Sequence, residues 1–170
     1  MESEKTELTL EYAQDRIEYL ERLVKKYKYC ALTNLMKDQD FNDKFHRVFE
    51  EFQFTGEGFT LAIIDINYLH NVNKQGWEQG NNLIKSVANQ LKEIFAAHQL
   101  YRIGGDEFCV IVRDSFMSYD EVNKKLATVT DVTFAATKST GFATPSKMFK
   151  DTDAKLTKLK LARPDFERRM

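Results

Sequence analysis

The chain has 170 residues, enough for one domain. Thirteen Phe and seven Tyr within a 42% hydrophobic composition supply a core, and only two Pro and seven Gly speak against a linker-rich or disordered chain. The net charge of -1 lacks the basic footprint of a nucleic-acid binder, so no nucleic-acid partner is expected.

Residues 5–28 contain no Gly or Pro and place Leu10, Ala13, Ile17, Leu20, Val24 and Tyr27 at steps of 3, 4, 3, 4 and 3. That spacing is a short heptad seam on a helix. It fits either a dimerising coiled coil or an amphipathic helix folded back on its own domain. The chain is therefore divided into an N-terminal helix, 1–28, and a domain, 29–170. A second helix is expected over 38–53, with Phe41, Phe45, Val48, Phe49 and Phe52 on its core face. After a turn, Phe59 to Ile66 forms an apolar run that reads as a buried strand. A short helix starts at Leu69, and a longer one is expected from about Gln79 to Ala97. Leu100–Ile103, Gly104-Gly105 and Phe108–Val112 form a hairpin signal. A helix over 118–127, a strand over Val132–Ala143 and a last helix over 151–162 complete the order. A strand, a helical crossover, a hairpin and a further strand point to an α+β fold of split βαβ type, ferredoxin-like, with a mostly antiparallel central sheet flanked by helices.

Cys30 and Cys109 stand far apart with no Cys-x-x-Cys or His partner, which favours reduced thiols over a disulfide or zinc site. No apolar run has the length of a signal peptide or a membrane span, so the reading is cytoplasmic with no membrane association. Two acidic clusters fall at strand ends: Asp65-Ile66-Asn67, and Asp106-Glu107 in the hairpin turn. If the first strand lies beside the hairpin, their carboxylates converge, and hard oxygen ligands of this kind suit Mg²⁺ or Mn²⁺ together with phosphates. Gly104 and Gly105 leave room for a ligand beside the backbone. Read from local spacing alone, Gly-Gly-Asp is also an ordinary turn carrying solvated acids.

Tyr101-Arg102-Ile103-Gly104-Gly105-Asp106-Glu107-Phe108 matches the signature of GGDEF domains in all five defining residues. Ala31–Leu35 resembles the family's D-x-L-T-G-L segment, and Ile64–His70 its D-I-D-x-F-K segment. Val72-Asn73, Gly76 and Gly80-Asn81 resemble its I-N-D-x-x-G-H-x-x-G-D run. Thr140–Ala143 resembles the S-I-G-x-A strand, and Lys160 to Arg163 the A-K-x-x-G-R tail. The resemblance runs from Tyr29 to about Arg163, and implies a nucleotidyl-cyclase palm that condenses two GTP to cyclic di-GMP, releasing pyrophosphate, between two facing domains. It implies Asp65, Asp106 and Glu107 as catalytic residues. Two Mg²⁺ or Mn²⁺ per site would be held by Asp65, the Ile66 carbonyl, Asp106 and Glu107. Asn73 and Asn81 would contact the base, Gly104 and Gly105 would lie against the nucleotide, and His70, Lys160 and Arg163 would stand at phosphate positions. The N-terminal helix would pair two copies as a homodimer.

Several departures accompany the resemblance. Asn81 stands where the family has an Asp that accepts from guanine N1-H and N2-H₂. An amide presents one acceptor and one donor, which mismatches guanine and suits adenine. His70 replaces a Lys, Asn67 the second Asp of D-I-D, and Cys30 the Asp of D-x-L-T. The loop from Asn73 to Gly76 is one residue shorter, and the tail Arg comes one residue early, with Pro164 in its expected place. Phe95 and His98 occupy the R-x-x-D positions of the product-inhibition site, so feedback through that site is not expected. Beside the cyclase reading stand a non-catalytic GTP-binding regulatory domain and a synthase with altered purine preference.

Overall fold

A computed structural model describes residues 2–163 of the chain, and the side chains from Thr9 onward; Pro164 lies outside the described residues. The elements in chain order are α1 (Glu2–Lys28), α2 (Asp38–Thr55), β1 (Phe59–Ile66), α3 (Leu69–Asn73), α4 (Trp77–Ile94), β2 (Leu100–Arg102), β3 (Glu107–Arg113), α5 (Tyr119–Leu126), β4 (Val132–Lys138) and α6 (Pro145–Leu161). The four strands form one sheet of order β2-β3-β1-β4, and every neighbouring pair is antiparallel. β1 and β2 therefore run parallel with β3 between them, the split arrangement expected from the sequence.

β1 is buried along all eight residues, as a largely apolar run in the middle of a sheet is, with Thr60 and Asp65 its two polar members. Strand alternation divides its side chains between two cores. Ala62, Ile64 and Ile66 join Phe108, Val110, Val112 and the apolar faces of α4 and α5. Phe59, Leu61 and Ile63 join Cys109, Ile111, the Phe41–Phe45–Phe49 stripe of α2 and Met148 and Leu156 of α6. Asp65 has the parity of Ile63, so it points to the α6 side.

Local chemistry fixes several boundaries. Gly56 ends α2 in the left-handed region at φ 77°, its amide bonding Phe52 O. Ser118 and Glu121 close a capping box on α5. The last strand and helix correct the sequence reading. β4 stops at Lys138 rather than Ala143, and α6 begins at Pro145 rather than 151. Phe59 N donates to Ser139 Oγ and Ser139 N to Phe59 O, closing the ladder there. Thr144 accepts from Lys147 N as the N-cap, with Pro145 in the first turn. Thr140–Ala143, expected as part of the strand, is thus a turn that follows it. α4 starts at Trp77 and ends at Ile94, earlier at both ends than expected.

α1 settles one of the two readings of its seam. Leu10, Ile17, Leu20, Val24 and Tyr27 are all exposed, so no other described residue covers them. No helix among the described residues is long and apolar enough to cross a membrane.

Candidate active site

The β1–β3 register places Asp65 opposite Glu107, and β1–β4 places Thr133 opposite Asp65 on the other side. Parity then aligns Thr133, Asp65 and Glu107 in one row at the sheet edge, on the α6 face. Two carboxylates directly across from each other repel unless a cation intervenes. Here α6 and the turn after it supply two. Lys160 Nζ lies 2.7 Å from Asp65 Oδ2, and Arg163 Nη2 lies 3.1 Å from Oδ1. Asp65 is fully buried, and the Arg163 side chain is 8% exposed. Arg163 Nε also donates to Thr133 Oγ1 at 2.8 Å, and that hydroxyl donates to Asn67 Oδ1 at 2.8 Å. Among the described residues, Nη1 of Arg163 is buried without a hydrogen-bond partner. Burial raises the Glu107 carboxyl above its ordinary range; Asp106, Asp65 and Asp153 add to the effect, and Lys160 partly offsets it.

Asp106 lies in the hairpin turn, immediately before β3. Ile103 N and Gly104 N both donate to Glu107 O, which closes the turn. Ile66 N donates to Asp106 O at 2.9 Å, locking the turn to the end of β1. Asp106 then lines a groove of about 370 Å³ together with Leu69, His70, Asn73, Trp77, Asn81, Ile84, Arg102 and Gly105. Asn73 and Asn81 form no side-chain hydrogen bond among the described residues, so both amides are available to a ligand. Gly80 is what seats Asn73: a Cβ built there would lie 1.7 Å from Asn73 Oδ1. Gly105 would meet nothing within 4 Å, whereas a Cβ at Gly104 would press on Glu107 Oε2 at 3.2 Å.

The structure therefore brings Asp65, Glu107, Lys160 and Arg163 together, and Asp106, close enough to act on Glu107, also lines the groove with His70, Asn73, Asn81 and Gly105. Lys160 and Arg163, expected at phosphate positions, sit on Asp65 here. Asp65 and Glu107 meet across the β1–β3 pair, and Asp106, in the turn next to them, acts electrostatically on Glu107. Among the described residues, no three Asp, Glu, His or Cys side chains form a ready-made cation cage. The donor set still suits a hard divalent ion: carboxylate oxygens at a rigid strand end, facing each other and already drawing two cations.

Sequence reasoning missed Arg102 and the bond that Cys30 makes. Arg102 Nη1 donates to Cys30 Sγ at 3.0 Å and Nη2 to Gly105 O at 2.7 Å, tying the turn after α1 to the hairpin. Burial alone would raise the Cys30 thiol, but hydrogen bonds from Thr33, Arg102 and Leu32 outweigh it and bring it down to about 7. Cys109 is fully buried and its thiol is pushed well up by desolvation. Phe95, at a position of the absent inhibition motif, is a core residue, and His98 is exposed beside Phe116.

Comparison with known proteins agrees with this architecture. The family described as diguanylate cyclase, GGDEF domain matches residues 28–144, and the chain belongs to it. No curated protein sequence matches. Among solved structures, the coiled coil and GGDEF domain of DgcB from Caulobacter crescentus, in complex with c-di-GMP, superposes with a TM-score of 0.79 at 22% identity, covering 92% of each chain. The diguanylate cyclase SiaD from Pseudomonas aeruginosa, in complex with its activator SiaC, gives 0.69 at 19% identity over 94% of this chain and 68% of that one. LapD from Vibrio cholerae, an S helix-GGDEF-EAL chain bound to c-di-GMP, gives 0.69 at 14% identity over 88% of this chain and 38% of that one. At these identities the likeness establishes the fold.

Proposed function

We propose that this GGDEF-family chain is a diguanylate cyclase: two copies, each holding one GTP, form cyclic di-GMP and release two pyrophosphates. The observation that carries the reading is the pairing of Asp65 with Glu107 at the sheet edge, beside a groove whose Asn73 and Asn81 amides have no internal partner. Asn73 and Asn81 read the edge of the base. Gly105 leaves the nucleotide free to pass close to the hairpin backbone, Gly104 gives Glu107 its place, and His70 faces the groove from α3. Asp65, the Ile66 carbonyl, Asp106 and Glu107 would hold two Mg²⁺ or Mn²⁺. When bound, the ions would acidify the attacking 3′-hydroxyl and neutralise the leaving pyrophosphate. Glu107, whose carboxyl already holds its proton more tightly than usual, is suited to take the hydroxyl proton. Lys160 exchanges Asp65 for phosphate oxygens as substrate arrives. Arg163 stays anchored by Thr133 and orients Asp65.

In this reading 1–28 is a pairing arm and 29–170 the catalytic domain. The exposed seam of α1 joins two copies about a two-fold axis, which also brings two half-sites face to face. The reaction would run in the cytoplasm, where GTP is available. A second reading, a non-catalytic GTP-binding regulatory domain, is favoured by the full engagement of Asp65 by Lys160 and Arg163. A synthase preferring another purine is favoured by Asn81.

Incubating the protein with Mg²⁺ or Mn²⁺ and GTP, ATP or both, and identifying products by mass, separates these. Cyclic di-GMP that vanishes in Asp106→Ala and Asp65→Ala establishes the cyclase. An adenine-containing product makes Asn81 the specificity residue, and bound nucleotide without product establishes the regulatory domain. Ile17→Glu should give a monomer in sedimentation and lose product formation together.

A further inference from the structure

Trp77 is the sole tryptophan of the chain and is 77% exposed, an unusual place for the largest apolar side chain. It stands in the first turn of α4, delivered there by Gly76, whose φ of 141° a side chain would strain and whose side has no room for a Cβ beside Gln79. Trp77, Asn81 and Ile84 are spaced by four and three residues, so they lie on one helix face. All three line the groove, together with Leu69 and Asn73 of α3. The order along the α4 wall is an aromatic plane, then an amide, then an aliphatic side chain. That sequence offers a flat heterocycle a face to stack on and an edge to hydrogen-bond with.

From this arrangement we infer that Trp77 is a base-stacking residue of the groove: the purine of the nucleoside triphosphate lies against the indole while Asn73 and Asn81 read its edge. The inference rests on the nucleotide reading above. It assigns the exposed indole a ligand of definite chemistry, a purine ring rather than a phosphate or a protein surface. Gly105 and Asp106 of the hairpin line the same groove and are left for the phosphates. Stacking tolerates either purine, since every base has a π-face, so Trp77 contributes affinity and the amides contribute discrimination.

The test uses the full chain, a non-hydrolysable GTP analogue with Mg²⁺, and inorganic tripolyphosphate as a base-free control. Because Trp77 is the only tryptophan, its fluorescence reports the groove directly. Saturable quenching by the analogue, none by tripolyphosphate, and a roughly five- to hundredfold weaker calorimetric affinity in Trp77→Ala, largely restored in Trp77→Phe, are expected. Tripolyphosphate affinity should be equal in all three proteins. Calorimetric binding of the analogue without quenching, and with Trp77→Ala unchanged, would overturn the stacking role while leaving the nucleotide reading intact. Absence of analogue binding to the wild-type chain would overturn both. Because the indole is exposed, neither variant opens a hole in the core, and the tripolyphosphate affinity checks that the groove is still formed.

Discussion

Replacing Asp65 by Asn removes the charge that Lys160 and Arg163 share, and the sign of the stability change is informative. Two effects oppose each other. Loss of the carboxylate relieves its repulsion with Glu107, directly across the β1–β3 pair. It also strands two cations. Lys160 is 25% exposed and turns to water at little cost, so its share is screened. Arg163, at 8% exposure, has no such exit, and its Nη1 already lacks a partner. A charge-assisted hydrogen bond contributes about 1.5–3 kcal/mol, and removing one partner of a buried pair costs about 3–5 kcal/mol. The substituted amide would keep one acceptor, so a net loss of about 2–4 kcal/mol is expected. For a domain of this size that lowers Tm by roughly 5–15 °C. Urea unfolding followed by circular dichroism at pH 7, without divalent ions, measures it. The double variant Asp65→Asn/Arg163→Met should recover more than about 1 kcal/mol relative to the sum of the singles. An Asp65→Asn protein as stable as the parent or more so, or additive singles, would refute the ion triad.

Gly80→Ala should force Asn73 off the α4 backbone, since the new Cβ would lie 1.7 Å from its Oδ1. Calorimetry should show GTP affinity falling by about 1–3 kcal/mol, with Tm unchanged or higher because Ala favours the helix. Asn81→Asp restores two acceptors to the base edge, so initial rates with GTP relative to ATP should rise by a comparable free energy. Cys30 should be alkylated with a pH midpoint near 7, while buried Cys109 resists. The folded-state value lies below the ordinary thiol value of 9.0, so the thiolate's stabilisation is present above that value. It is lost as pH falls through about 7, and the slope of stability against pH between these limits should flatten in Cys30→Ser.

The sequence by itself determined whatever short-range periodicity controls. The short, largely apolar and β-branched run of Phe59–Ile66, bounded by a turn, marked a strand buried on both faces. Gly104-Gly105 between two apolar segments marked the hairpin, and the helical spacing of the Phe residues in α2 marked its core face. The GGDEF signature and the order of the surrounding motifs identified the family over residues that its profile also matches. The start of α6 was set at 151, too late, although Thr144-Pro145, an N-cap followed by a first-turn proline, was the signal that marks it.

Tertiary structure decided everything that depends on which surfaces meet. Strand parity, fixed only once β1 pairs with β3 and β4, set Asp65 on the α6 face between Glu107 and Thr133. The ion pairs from Lys160 and Arg163 span 95 and 98 residues, and the Arg102–Cys30 bond spans 72. No local pattern encodes such contacts, because their energy exists only after the chain has closed those loops. The same holds for α1, whose heptad seam is equally compatible with burial and exposure in sequence, and which the fold leaves uncovered. Residue types and local periods fixed the elements and the chemistry available, while the pairing of the sheet fixed which charges share a site.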